Sequence, residues 1–314
     1  MTVGETMVLL DPLDEGEIRP DMSFTLRVAG AESNFAVALT RLGLATRWIS
    51  RLGDDPLGGV IHETLSNEGL DLDYVQRDKD SFTAVFFKWR EGGRSLVHYL
   101  RRGSAAARLT PGSVPDEAFD GIELVHLTGI TMALSDSARD TVIDVARRAK
   151  QRGLLVTFDP NFRPALWSGP EAATEAHRAV FEYVDWYLCG LEEGNRLFGT
   201  DSEESLARAI RGAGLDNAVA RVGDKGALVI CEQEARLVQP RRLETVVDEI
   251  GAGDGFAAGF VYGLLQSWHH ADCAAAGNLI AARALVGTGD WETFPHLHEV
   301  EHLLAGGPRP SHTG

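Results

Sequence analysis

The chain is short of cysteine, of long apolar runs and of positive charge, and each shortage removes a class of protein. Among its 314 residues, Cys189, Cys231 and Cys273 are the only cysteines. They are odd in number, far apart and set in apolar runs, which gives neither a disulfide framework nor a zinc-ligand spacing. They read as buried, reduced thiols of a cytoplasmic protein. No apolar run reaches the length of a membrane span, and no signal-peptide pattern opens the sequence. Lys and Arg number 30 against 46 Asp and Glu, a formal charge of −16. A surface of that sign does not suit nucleic acid. An anionic ligand therefore needs a local, directed cation, which draws notice to Arg101, Arg102 and Arg163. Low-complexity tracts and tandem repeats are missing as well.

What is present reads as one large α/β domain, or one domain with an appendage. Hydrophobic residues at 44% and charged residues at 24% are ordinary globular composition. The recurring unit is strand then helix, which predicts a mostly parallel sheet covered on both faces. Leu124–Leu127 is an apolar strand, followed by a helix that Ser135 caps and Gly153 ends. Leu154–Phe158, Tyr187-Leu188-Cys189, Ala218–Val222 and Leu228–Cys231 continue the strand series. Helices are predicted over Ala31–Leu42 and Pro56–Glu68, the second with Asp54 and Pro56 at its start. Two β-rich stretches, Val8–Val28 and Thr83–Leu100, interrupt the series, the second with a hairpin turn at Glu91-Gly92-Gly93. Short strands without crossover helices cannot extend a parallel sheet, so these are expected to form a separate small one.

The most informative stretch is Val247-Asp248-Glu249-Ile250-Gly251-Ala252-Gly253-Asp254-Gly255-Phe256. Three small residues let backbone N–H groups turn toward one point, and a small-residue helix through Ala257, Ala258 and Gly259 follows. A glycine turn that opens a helix is an anion site, because unpaired N–H groups and the helix dipole both favour negative charge. Asp254 stands out there, since a carboxylate repels bound phosphate. It is either an N-cap or a base that takes a proton from a hydroxyl attacking phosphorus. The longer string, with Asp248 six residues upstream, favours the second. A Walker phosphate loop, G-x-x-x-x-G-K-[ST], occurs nowhere in the chain.

That string resembles the C-terminal signature of the ribokinase-like (PfkB) carbohydrate kinases, D-T-x-G-A-G-D ahead of a small-residue helix. The resemblance runs from Gly4-Glu5 to about Pro295. Within the family, Gly30-Ala31-Glu32-Ser33-Asn34, Tyr99–Ala105 and Asp159-Pro160-Asn161-Phe162-Arg163 are similar to segments of the 2-keto-3-deoxygluconate (KDG) kinases. The resemblance implies a ribokinase-like α/β fold, a mostly parallel sheet flanked by helices on both faces, with a small discontinuous β-sheet lid over the sugar site. Residues 1–6, 31–74 and 106–305 would form the core, 7–30 and 75–105 the lid, and 306–314 a frayed tail.

The implied activity is ATP-dependent phosphorylation of a sugar acid, KDG to its 6-phosphate. Asp254 would be the base and Gly251, Ala252 and Gly253 the anion hole for the transferring phosphate. Arg221, Gly223 and Gly226 match the family's strand-end segment on the ATP side, with Arg where Lys or Thr is common. Asn278 matches a position lining the adenine pocket, though a plain helix residue is the other reading. Glu193 would orient waters on Mg²⁺. Its N-x-x-E motif departs from the family at Gly190, which replaces Asn. Asp248 resembles a ligand of a monovalent cation such as K⁺, or it caps local amides.

At the sugar end, Gly30 allows close backbone approach and Asn34 offers an amide to hydroxyls; a helix start capped by Ser33 is the alternative. Tyr99, Arg101 and Arg163 resemble the residues that hold the acid end of KDG, the carboxylate being a natural partner for a guanidinium. Otherwise Arg101 and Arg102 are a solvated lid edge, with Arg102 turned the other way by strand alternation. Two other functions are weighed: a kinase of a neutral sugar such as fructose or ribose, and a catalytically silent sugar-binding protein on the same scaffold. The expected partners are the sugar acid and ATP, without nucleic acid or membrane. Apolar Val85, Phe86, Phe87 and Trp89 suit either a lid-to-lid homodimer or higher homo-oligomer, or the covering of the subunit's own sugar.

Overall fold

The structure is a computed structural model that describes residues 1–14, 16–91, 94–231, 234–240, 251–287 and 289–304. Asp248, the Gly92-Gly93 turn and the tail 306–314 lie outside the described residues. In chain order come β1 (Thr2–Val3), β2 (Met7–Pro12), β3 (Phe24–Ala29) and α1 (Ala31–Arg41). β4 (Trp48–Ile49) and β5 (Arg51–Gly53) precede α2 (Pro56–Asn67), and β6 (Gln76–Asp78), β7 (Val85–Glu91) and β8 (Arg94–Leu100) follow. Strand and helix then alternate through β9 (Leu124–Thr128), α3 (Gly129–Met132), α4 (Asp136–Gln151), β10 (Leu155–Asp159) and α5 (Pro170–Phe181). β11 (Trp186–Gly190), α6 (Leu191–Phe198), α7 (Glu203–Gly212) and β12 (Ala218–Arg221) continue the alternation. β13 (Ala227–Cys231), β14 (Glu234–Val238), α8 (Ala252–Leu265), α9 (His270–Ala284) and α10 (Leu297–Leu304) complete the described elements.

The large sheet has eight strands in the order β14-β13-β12-β11-β10-β9-β1-β4. From β4 to β12 every pair is parallel, and these mainly apolar strands are largely buried between the helices on the two faces. One apolar layer gathers Trp48, Trp186 and Phe260 under α1, α8 and α9; the other gathers Val142, Phe158 and Tyr187 under α4 to α7. β13 departs from the expected series, pairing antiparallel to both β12 and β14. The five residues between β12 and β13 are too few for a crossover helix, so the chain makes a hairpin.

Local signals set the helix starts. Ser135 Oγ accepts the Ala138 N–H at 3.0 Å at the head of α4. At α2 the cap is Asp55 and not the expected Asp54: Asp55 Oδ1 accepts the Gly58 N–H at 2.8 Å, ahead of Pro56. Four strands form a separate sheet in the order β3-β2-β7-β8, antiparallel except for β2 with β7. β6, although inside the stretch 75–105, pairs with β5 instead. No helix among the described residues is long and apolar enough to cross a membrane.

Candidate active site

The carboxyl ends of parallel strands are where open α/β sheets collect ligands, since helix N-termini and loop amides converge there. Here a cleft of about 510 Å³ opens at that edge, lined on one side by Met7, Phe86, Val97 and Tyr99 of the small sheet. The core contributes Asn34, Asn161, Arg163, Glu193, Arg221 and the turn around Gly251.

Gly251 takes φ +77, and a Cβ there would fall 1.7 Å from the Asp290 carbonyl oxygen, so the turn accepts only glycine. It is the N-cap of α8, which begins at Ala252. Asp254 is therefore not the cap that a helix-start reading assigns to it; it sits inside the first turn. The first N–H groups of α8 have no partner within the helix, and Gly251, Gly253 and Asp254 all border the cleft. At Gly253 a Cβ would meet only the Arg221 guanidinium, at 3.7 Å. That is ordinary contact.

The Asp254 carboxylate is gripped from two directions. Asn34 Nδ2 donates to its Oδ2 at 2.8 Å, and Asn161 Nδ2 reaches its Oδ1 at 3.4 Å. Burial pushes its pKa up to about 7; the Asn34 amide and the Arg163 charge pull down, while Asp159 and Asp290 push up. Such a carboxyl is poised between acid and base at neutral pH. His126 and His177 are no rivals, because burial holds them neutral, at about 4 and about 3.

Behind this group lies a partly buried charge cluster at the ends of β10, β11 and β12. Arg221 Nη1 donates to Asp159 Oδ2 at 2.7 Å, and its Nη2 lies 3.6 Å from Glu193 Oε2. Glu193 also accepts the Gly190 N–H at 2.9 Å and the Phe162 N–H. Burial and the neighbouring Asp159 raise the Glu193 pKa. Burial works against the charge on Arg221, but the two carboxylates outweigh it and hold the guanidinium above its usual range. At Gly190 a Cβ would meet nothing closer than 3.6 Å, so the missing Asn side chain is not excluded by crowding.

At the sugar end, Gly30 is tightly constrained: a Cβ there would lie 2.4 Å from the Glu5 carbonyl oxygen. Arg101 is buried, and its Nε and Nη2 meet Glu5 Oε2 at 2.7 and 2.6 Å. Glu5 also accepts the Ser104 hydroxyl. Tyr99 stacks on Phe86 with ring centroids 5.4 Å apart, and the Arg101 guanidinium lies 5.6 Å from the Tyr99 ring. Arg163 differs: it is exposed, makes no ion pair among the described residues, and approaches the Phe162 carbonyl at 3.5 Å. Arg102 is exposed and does not line the cleft.

Gly223, Gly226 and Asn278 also stand outside the cleft lining. Asn278 is buried on α9 and donates to the Val238 carbonyl at 3.2 Å, the same oxygen that crowds Gly226. These two residues thus share a neighbourhood at the end of β14.

The family model for pfkB family carbohydrate kinases matches residues 1–296. The chain belongs to that family. It is 33% identical over 309 residues to the 2-dehydro-3-deoxygluconokinase of Bacillus subtilis (strain 168), covering 97% of this chain and 95% of that one. The enzyme of that name from Thermoproteus tenax is 36% identical over 311 residues, covering 97% and 93%. Among solved structures, a PfkB protein from Polaromonas sp. JS666 superposes with a TM-score of 0.86 at 34% identity, covering 96% and 98%. Glu5, Asn161 and Asp290 line the cleft, and Asp159 stands behind it, although none of the four has a role assigned from the sequence. Asp159 and Asn161 carried one usable signal, a polar pair at the carboxyl end of a predicted strand. Glu5 and Asp290 carried none, their partners being distant in sequence.

Proposed function

We propose that this pfkB kinase transfers the γ-phosphoryl group of ATP to the 6-hydroxyl of 2-keto-3-deoxygluconate. Asp254 takes the hydroxyl proton, and the N–H groups of Gly251, Ala252 and Gly253 hold the transferring phosphate. The observation that carries the reading is the Asp254 carboxyl itself: set in a first helical turn, gripped by Asn34, and raised to about 7. Gly251 occupies the N-cap position, so Asp254 is not there as the cap.

Arg221, beside Gly253, is the cation offered to the phosphates, with Gly223, Gly226 and Asn278 toward the nucleotide. The described residues contain no cluster of three or more His, Cys, Asp or Glu that could hold a metal. Glu193, which lines the cleft, would face the waters of an Mg²⁺ held mainly by phosphate oxygens. Bound there, the ion would offset charge building on the phosphates. K⁺ at Asp248 belongs to the same reading. Gly30, Asn34 and Tyr99 face the sugar, and Arg163 takes its carboxylate, with Arg101 held beside it by Glu5. The small sheet acts as the lid, and its exposed Leu26, Leu96 and Leu100 suit pairing with a second copy. A cytoplasmic setting agrees with the buried thiols Cys189 and Cys273.

The test is an ADP-release assay with KDG, fructose and ribose on the wild type and on Asp254→Asn. KDG should be the best acceptor, and the variant should turn over roughly two to four orders of magnitude more slowly. Preference for a neutral sugar would refute the substrate, and near-normal turnover in the variant would refute the mechanism.

A further inference from the structure

The loop after β10 holds a backbone conformation that costs energy. Asn161 has φ +40, in the left-handed region where Cβ crowds the main chain; asparagine tolerates it better than most residues. The conformation is fixed from several sides. Asp159 Oδ1 accepts the Asn161 N–H at 2.9 Å, Asp159 Oδ2 is tied to Arg221, and Glu193 accepts the next N–H, from Phe162. Backbone held in such a state is worth asking about when it lies at a site.

What the turn achieves is visible in the side chain. Asn161 is buried, and its amide is aimed at Asp254 Oδ1. The two Asp254 oxygens are therefore unequal. Oδ2 has a bond of 2.8 Å from Asn34, anchored in the first turn of α1. Oδ1 has one of 3.4 Å, beyond the usual range for N–H···O and easily displaced.

We propose that Asn161 is a positioning residue for the phosphoryl transfer, aiming Asp254 Oδ1 at the acceptor hydroxyl and yielding that oxygen when the hydroxyl arrives. Asn34 stays as the anchor on Oδ2. The hydroxyl proton passes to Oδ1 as its oxygen bonds to the γ-phosphorus. The bond from that phosphorus to the bridging oxygen breaks, and its electron pair leaves with ADP. The proposal rests on the reading of Asp254 as base. Asp159 at the end of β10, Arg163 from the loop after it, and Asp290 from the segment after α9 also face that carboxylate and set the background for any pH effect.

Two variants separate the amide from the turn. Glycine accepts φ +40 without strain, so Asn161→Gly deletes the amide and keeps the backbone, whereas Asn161→Ala disturbs both. Full-length protein is compared for kcat, KM and melting temperature from pH 5 to 9, with Asp254→Asn alongside. Asn161→Gly should melt as the wild type does, keep its KM for ATP, and lose kcat by about ten- to a hundredfold. The acid limb of its kcat/KM profile should move up, because a donor facing the ionised carboxylate is gone. Asn161→Ala should lose at least as much kcat. Wild-type kcat and an unmoved acid limb in Asn161→Gly, with Asp254→Asn inactive, would overturn this proposal alone. Turnover retained by Asp254→Asn would overturn the base, and the proposal with it.

Discussion

Arg101 and Arg163 bring the same charge to the cleft in opposite circumstances. Arg101 is 7% exposed and locked to a Glu5 carboxylate that is itself out of water. Removing one partner of a buried pair strands the other, so Arg101→Ala should cost about 3–5 kcal/mol of stability. A lowered urea midpoint would register it. Arg163 is exposed and unpaired among the described residues, so Arg163→Ala should unfold at the wild-type urea concentration. Its loss should appear in catalysis instead, as a fall in kcat/KM for KDG equivalent to about 2–5 kcal/mol with the KM for ATP unchanged. Unchanged KDG efficiency in Arg163→Ala would remove that residue from the sugar site. The sequence singled out both arginines, because an acidic chain needs local cations for an anionic ligand. It could not tell them apart, because Glu5 lies 96 residues from Arg101 and only the fold joins them.

The start of α8 shows what one element can and cannot reveal before folding. Its glycines, its small-residue helix and the oddity of Asp254 were legible, since each is a local matter of space, dipole and charge. Its first residue was not. Gly251 caps because the Asp290 carbonyl, from beyond α9, fills the space a side chain would need. A contact of that kind leaves no mark on neighbouring residues. The antiparallel β13 was missed for a simpler reason: strand periodicity says nothing of direction, which the length of the connection decides. Gly251 and Gly253 should therefore behave differently. Gly251→Ala should destabilise the fold, measured by thermal melting, because backbone must move. Gly253→Ala should melt normally, as its new methyl meets Arg221 at ordinary distance. It should still lose turnover by about a hundredfold, because that methyl occupies the space offered to phosphate. Equal melting temperatures with equal turnover would show that neither glycine is under the stated constraint.

Across the whole molecule, the Asp254 pKa ties activity and stability to pH with opposite signs. Activity needs the ionised form, so kcat/KM should fall as pH drops through about 7. Stability goes the other way. A carboxyl whose folded pKa is raised from 3.8 to about 7 leaves folding unpenalised below the unfolded value. The penalty accumulates as pH rises through that window and is complete above it. Asp254→Asn carries no charge, so its melting temperature should exceed that of the wild type by more at pH 8 than at pH 5. An equal difference at both would mean that the carboxyl is not raised. The α/β class and the division into two sheets were readable from strand–helix alternation and its two interruptions, whereas the order of strands was not. In that order, β1 pairs on one side with β4 and on the other with β9, Thr2 facing both Trp48 and His126. Ribosomes add roughly 5–20 residues per second, so one flank of β1 waits several seconds for the strand that will cover it. During that interval the Thr2–Val3 flank that β9 will cover has no partner, and the Asn34–Asp254 contact comes later still.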